Sequence, residues 1–194
     1  HSLVFYPGGD DRRRALMDLV GSATTTLDIC FYIFAEDEVS SELRDALCAA
    51  ARRGGAVTLI LDSFGASASD RFLQPLVDAG GRYFCFSPRI GLRYLIRNHQ
   101  KMVIADGERA LFGGFNIEDD YFAPPELNGW NDLGFLLEGE AVQQVSQWFS
   151  ELVEWASDDK AQFRDIRHRV RNWQAGDGPV QVLIGGPSRR LSSW

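Results

Sequence analysis

Leu27 to Phe34 reads LDICFYIF, apolar or aromatic on both faces except for Asp28. A strand with one wet face alternates apolar and polar residues. A run without that alternation belongs inside a sheet covered from both sides. Val57 to Leu61 is a second such run. Between them, Val39, Leu43, Ala46, Leu47 and Ala50 recur at helical spacing. That helix opens on the acidic cluster Glu36-Asp37-Glu38, favourable at the positive end of a helix dipole, and closes at Gly54-Gly55. Strand, helix, strand in this order predicts an α/β chain, a mixed β-sheet flanked by helices on both faces. At 194 residues the chain is long enough for one such domain with a core that needs no disulfides.

The remaining elements follow the same rules. Leu3 to Tyr6 is a short strand stopped by Pro7-Gly8-Gly9, and Asp10 is placed to cap a helix running to Val20, with Gly21 at its end. Arg71 to Ala79 is a short helix and Arg82 to Phe86 a strand. The small-residue loop from Asp62 to Ser67 follows a strand, where α/β sheets place ligand loops, and reads either as a site wall or as a connector. Gly129 to Asp132 opens the strand Leu133 to Leu137. Glu140 to Ala156 carries an apolar helical stripe, with Trp148 and Trp155 one heptad apart as core residues. Phe163, Ile166, Val170 and Trp173 mark a last amphipathic helix, with His168 on its polar side.

The chemistry lies between Asn98 and Asn116. Met102 to Ala105 and Ala110 to Phe112 are two apolar runs separated by Asp106-Gly107, a strong hairpin signal. A two-residue turn would set Ala105 opposite Glu108, Lys101 opposite Phe112 and His99 opposite Gly114. His99, Lys101, Gly114 and Asn116 would then share one face, with opposed pairs about 5 Å apart and diagonal pairs about 7–8 Å apart. That face would present a titratable imidazole, a cation and an amide donor. At Gly113-Gly114 the missing side chains would let a ligand approach the backbone. Such a set suits a tetrahedral phosphate.

The pattern His-x-Lys-x4-Asp-x6-Gly-Gly-x-Asn resembles the HKD signature of the phospholipase D superfamily at every signature position, and the flanking Arg97-Asn98 and Gly107 resemble its bacterial cardiolipin synthase branch. The resemblance implies a phospholipase D-like α/β/α sandwich, one repeat long. It implies catalytic roles for His99, Lys101, Asp106 and Asn116, a phosphate loop at Gly113 and Gly114, and Asp132 as the carboxylate orienting His99. The hairpin register itself places Asp106 in the turn, where a structural role is expected. Gln100 stands where the branch often has Arg, on the face opposite His99.

The implied reaction is phosphatidyl transfer through a phosphohistidine, with no metal or other cofactor. Hydrolysis of the same phosphodiester, as a phospholipase or nuclease, and an inactive lipid-binding half-domain are the alternatives. Because the superfamily pairs two His residues, one motif is half a site. The partner His is expected from a second HKD half or from a homodimer. The other implied partners are an anionic, phosphatidylglycerol-like phospholipid and a membrane surface. The implied location is cytoplasmic or peripheral at a bacterial inner membrane.

Charge bears on these alternatives. The net charge of −7 argues against a nucleic-acid partner. Yet Arg89, Arg93, Arg97 and Lys101 lie in a stretch, Ala79 through Ala105, without an acidic residue. Interleaved with Leu92, Tyr94, Leu95 and Ile96, they read either as a solvated basic loop or as a head-group and membrane contact. No apolar run reaches the ~18–20 residues of a membrane span. Cys30, Cys48 and Cys85 lack metal-ligand spacing and read as reduced, buried thiols.

Residues 1–175 are expected to form the HKD repeat. Residues 176–194 are expected to hold a linker, Gly176 to Pro179, and the first strand of a second repeat at Val180 to Ile184. The second stretch echoes the N-terminal order of apolar strand, Gly/Pro turn and basic helix start. The chain therefore reads as the first half of a two-repeat protein, and His1-Ser2 as a cloning scar with an upstream segment removed.

Overall fold

A computed structural model describes residues 1–86, 98–158 and 160–185. The seven strands are β1 (Ser2–Tyr6), β2 (Thr26–Phe31), β3 (Ala56–Asp62), β4 (Arg82–Phe86), β5 (Met102–Ala105), β6 (Arg109–Gly113) and β7 (Gly134–Glu138). They form one sheet in the order β1-β7-β6-β5-β2-β3-β4. β2, β3 and β4 run parallel, whereas β5, β6, β7 and β1 continue the sheet antiparallel. Helices α1 (Gly9–Ser22), α2 (Glu38–Arg52) and α3 (Asp70–Asp78) cover one face, and α4 (Ala141–Ser157) and α5 (Phe163–Asn172) the other. The expected mixed sheet between two helical layers is the fold found.

The interior strands explain this arrangement. On β2, Leu27, Ile29 and Phe31 face α1 to α3, while Cys30 faces α4. On β3, Leu59 and Leu61 take the first side and Ile60 the second. Helix α2 starts where Asp37 accepts from the Ser40 amide at 3.0 Å, and Gly54 leaves it at φ 95°. Trp148 and Trp155 are buried in the second layer as expected.

Several expectations need correcting. Asp10 does not cap α1. Gly8 is the N-cap, Asp10 lies in the first turn, and the helix runs through Gly21. A Cβ on Gly9 would stand 2.4 Å from the Phe122 carbonyl oxygen, so the helix start abuts that backbone. Cys30 and Cys48 are buried thiols, but Cys85 is exposed because β4 is the edge strand of the sheet. Val180 to Ile184 adds no strand. Val180, Val182 and Ile184 instead pack against the α4 layer, anchored where Trp173 Nε1 donates to the Val182 carbonyl at 2.7 Å. Residues 186–194, the rest of the expected repeat, lie outside the described residues.

The hairpin register also differs. Asp106 and Gly107 have φ of 56° and 68°, and Glu108 N closes the turn on the Ala105 carbonyl at 3.1 Å. The ladder resumes only at Arg109, which pairs with Ala105, so Met102 opposes Phe112. Glu108 is an extra residue whose carbonyl accepts from Gly139 N at 3.4 Å. The one-residue slip moves Gly114 and Asn116 off the side-chain parity of Lys101. The backbone leaves the ladder after Gly113, and Gly114 there lines one cavity with Lys101.

Candidate active site

The segment Asn98 to Lys101 leads into β5. Its anchor is Asp62, the last residue of β3, which is 1 % exposed. Asp62 Oδ2 accepts from Asn98 N at 2.8 Å, and Oδ1 accepts from Phe64 N at 2.9 Å and Gly65 N at 3.2 Å. Asn98 is buried too, with Nδ2 donating to Cys30 Sγ and Oδ1 accepting from Gln100 N. His99 is exposed, and Gln100 accepts from Trp148 Nε1 at 2.9 Å.

Lys101 is 7 % exposed. Its Nζ donates to the His99 carbonyl at 2.8 Å and stands 3.1 Å from Nδ1 and 3.4 Å from Nε2 of the His99 ring. An ammonium has only protons to give, so the nearby ring nitrogen acts as acceptor and the imidazole is neutral there. Burial lowers the His99 pKa, and the Lys101 charge lowers it further against the opposing pull of Asp62. Burial also pushes Lys101 down to about 8, opposed by the Asp132 carboxylate.

Of the other predicted residues, Gly113 and Gly114 line one cavity with this pair, and Asp132 stands in the loop before β7. A Cβ on Gly114 would lie 2.6 Å from Asp132 Oδ1, and one on Gly113 would lie 2.4 Å from the Phe115 ring. The Cβ direction of each glycine is thus taken by a side chain of this chain, while the two glycines also line a cavity shared with His99 and Lys101. Asp132 Oδ1 accepts from Leu133 N at 2.6 Å, and the carboxylate acts electrostatically on Lys101. Asn116, 2 % exposed, accepts from Ile33 N and donates to the Tyr121 hydroxyl, both at 3.0 Å. Asp106 sits at the far end of the hairpin. Its carboxylate accepts from the amides of Thr24, Thr25 and Thr26. Partial burial works against its charge, but these hydrogen bonds prevail and hold its pKa well below the usual carboxylate range. Arg89, Arg93 and Arg97 lie outside the described residues.

Sequence reasoning missed Arg12 and Tyr32, and named Asp62 only as the start of a loop read as a site wall or a connector. Arg12 is 1 % exposed and donates to the carbonyls of Pro7 and Asp132 at 2.6 Å and of Tyr121 at 2.7 Å. Its position four residues before Leu16, on the core stripe of α1, was the available signal. Tyr32 packs against His99, and Asp62 anchors Asn98. Tyr32 does not stand out from its neighbours in sequence.

A cavity of about 780 Å³ is lined by His99, Lys101, Gly113 and Gly114 together with apolar residues that include Phe112, Phe135 and Val182. Among the described residues, no three His, Cys, Asp or Glu side chains gather as a metal site, and no helix is long and apolar enough to cross a membrane.

The fold is that of phospholipase D-type proteins. NucT from Helicobacter pylori superposes with a TM-score of 0.63 at 17% identity, over 79% of this chain and 94% of that one. Nuc from Salmonella typhimurium, a phospholipase D family member, gives a TM-score of 0.56 at 18% identity, over 80% and 91%.

Sequence carries the assignment further. Residues 16–153 match the family described as "Cardiolipin synthase, PLD-like domain", and the chain belongs to that family. It is 33% identical to the major cardiolipin synthase ClsA of Bacillus subtilis over 197 residues, covering 96% of this chain and 39% of that protein. It is also 33% identical to a cardiolipin synthase of Clostridium perfringens over 179 residues, covering 87% and 37%. The chain thus spans less than two fifths of the length of these relatives.

Proposed function

We propose that the protein containing this chain is a phosphatidyltransferase of the cardiolipin synthase type and that this chain supplies one half of its active site. The observation that carries this reading is the cavity in which His99 and Lys101 share a wall with Phe112, Phe135 and Val182. A polar end for a phosphodiester beside an apolar wall for a diacylglycerol suits a phospholipid better than a nucleic acid.

In this reading a ring nitrogen of His99 attacks phosphorus, and the bond from phosphorus to the leaving glycerol oxygen breaks. A second His, from the rest of the protein or from another copy, gives that oxygen its proton. The hydroxyl of an acceptor such as phosphatidylglycerol then attacks the phosphohistidine and returns its proton to the second His. Lys101 stabilises the non-bridging oxygens, with Asp132 steadying its charge and orienting the imidazole. Asn116 contributes its remaining amide proton or, through Ile33, the position of the neighbouring backbone. Asp106 keeps the hairpin in place. The enzyme works at the inner face of a bacterial membrane.

The test uses the full-length protein on phosphatidylglycerol vesicles, with cardiolipin and released glycerol quantified and His99 peptides searched by mass spectrometry for a phosphatidyl adduct. Cardiolipin production that disappears in His99→Ala supports the reading. Retained turnover in that variant overturns it, and cleavage of single-stranded DNA that depends on His99 would replace the lipid by a nucleic acid.

A further inference from the structure

Parts of the chain outside the signature close around the imidazole of His99. Tyr32 directly follows β2, and its ring centroid lies 4.7 Å from that of His99 at an interplanar angle of 49°. Lys101 Nζ stands 5.8 Å from the centroid of the same tyrosine ring. One aromatic side chain thus borders both members of the His–Lys pair.

Tyr32 is in turn held from several sides. A Cβ on Gly65 would lie 2.5 Å from the Tyr32 carbonyl oxygen and 2.8 Å from two of its ring carbons, so the loop after β3 presses its backbone against the ring. That loop is fixed by Asp62, whose Oδ1 takes the Phe64 and Gly65 amides while its Oδ2 takes Asn98 N beside His99. The next residue along from Tyr32 is fastened as well, because Ile33 N donates to Asn116 Oδ1. A single buried carboxylate therefore sets the distance between the wall behind the imidazole and the backbone that carries it.

This matters because His99 is exposed and lies just before β5, where the chain has yet to join the sheet. A side chain so placed has rotamer freedom, and each wrong orientation subtracts from the reactive population. We infer that Tyr32 is a positioning residue for His99, held in register by the Asp62–Gly65 loop, and that it fixes the imidazole plane against Lys101. For its effect on turnover the inference rests on His99 being the reacting residue; for the orientation of the ring it does not.

Three variants of the full-length protein test it: Tyr32→Leu, Tyr32→Phe and Gly65→Ala. Two readouts are followed: steady-state turnover on phosphatidylglycerol vesicles, and the rate at which diethyl pyrocarbonate carbethoxylates His99, read by peptide mass spectrometry. Tyr32→Phe keeps the ring, and among the described residues the lost hydroxyl has no hydrogen-bond partner, so both readouts stay within about twofold of the parent. Tyr32→Leu lowers kcat by about tenfold or more with KM little changed, as expected when orientation rather than binding is lost. It also speeds carbethoxylation of His99 severalfold, because the shielded ring face opens. Gly65→Ala drives a methyl group into the Tyr32 ring and shifts both readouts in the same direction, which decides the matter if Tyr32→Leu loses its native melting transition.

The inference is overturned if a folded Tyr32→Leu or Gly65→Ala protein leaves both readouts within about twofold of the parent, or if Tyr32→Phe is as damaging as Tyr32→Leu. A protein with no phospholipid turnover whose His99 still becomes more reactive in Tyr32→Leu would remove the proposed reaction and keep the positioning role.

Discussion

Arg12→Met should be among the most costly single changes in this domain, although Arg12 stands in a run of three arginines at a helix start. Met preserves much of the buried stem and removes the donors. Three short hydrogen bonds are lost, to Pro7, Asp132 and Tyr121 carbonyls that lie 5, 120 and 109 residues away in sequence. A hydrogen bond with a charged partner contributes about 1.5–3 kcal/mol, so three such bonds set an upper range of about 4.5–9 kcal/mol. Two effects reduce it: the guanidinium no longer has to be desolvated, and water reaches some of the freed carbonyls. A net loss of about 3–5 kcal/mol is expected. For a domain of this size that corresponds to a fall of about 6–20 °C in Tm. Arg12→Lys should recover less than half of the loss, because an ammonium lacks the planar fork that spans all three carbonyls. Urea unfolding followed by tryptophan fluorescence measures both variants. A loss below about 1 kcal/mol for Arg12→Met would refute the argument that this guanidinium ties α1 to the loops carrying Tyr121 and Asp132.

Asp28 carries a carboxyl that burial, opposed by Arg82, raises to about 6. Its folded pKa exceeds its unfolded one, so charging it costs stability as pH rises from about 4 through 6. Asp28→Asn should therefore raise Tm at neutral pH and lose that advantage near pH 4, as a series of thermal melts would show. Asp106 has the opposite sign. Its folded pKa is depressed, so its contribution is present above the ordinary carboxylate value of about 4 and is lost as pH falls below it. Asp106→Asn should lower Tm at neutral pH and flatten the acid limb of the stability curve. Lys101→Met should reduce turnover of the full-length protein by about two orders of magnitude or more if the cation stabilises developing charge. In the parent, turnover should decline as pH rises through about 8, where Lys101 loses its proton. Gly114→Ala should damage activity by forcing the Asp132 carboxylate away, since the two would stand 2.6 Å apart.

The sheet was legible because its interior strands are apolar on both sides. Leu27 to Phe31 and Val57 to Leu61 could be satisfied only between two helical layers, which is how they are found. The spacing of His99, Lys101 and Asn116 marked a candidate site, in which Lys101 contacts His99. Its geometry was not legible, because it depends on a register that local turn chemistry does not decide. Asp106-Gly107 did form the expected turn, closed by Glu108 N on the Ala105 carbonyl, but the ladder partner of Ala105 is Arg109, and the Glu108 carbonyl accepts from Gly139 N. Cys85 and Val180 to Ile184 failed for a related reason. Composition shows that a residue can be buried or a segment can be a strand, while the position of the sheet edge determines whether it is. Arg12, Tyr32 and Asp62 act through contacts distant in sequence, so local pattern can place Arg12 on the core stripe of α1 and Asp62 at a loop start but cannot name their partners.

The pairing of β1 with β7 has a consequence for how the protein is made. Ser2 to Tyr6 finds its partners at Gly134 to Glu138, and Arg12 reaches its carbonyls beyond residue 120. A ribosome must release well over a hundred residues before the first strand has a neighbour. Until then its Leu3, Val4 and Phe5 have no sheet to join. Closing so long a loop is entropically costly and slows folding. The parallel unit β2-α2-β3 can form early from nearby sequence. The His99 region, which takes parts from residue 12 to residue 132, orders late, so nascent chains should pass through a partly folded stage with β1 apolar, unpaired and exposed to chaperones and proteases.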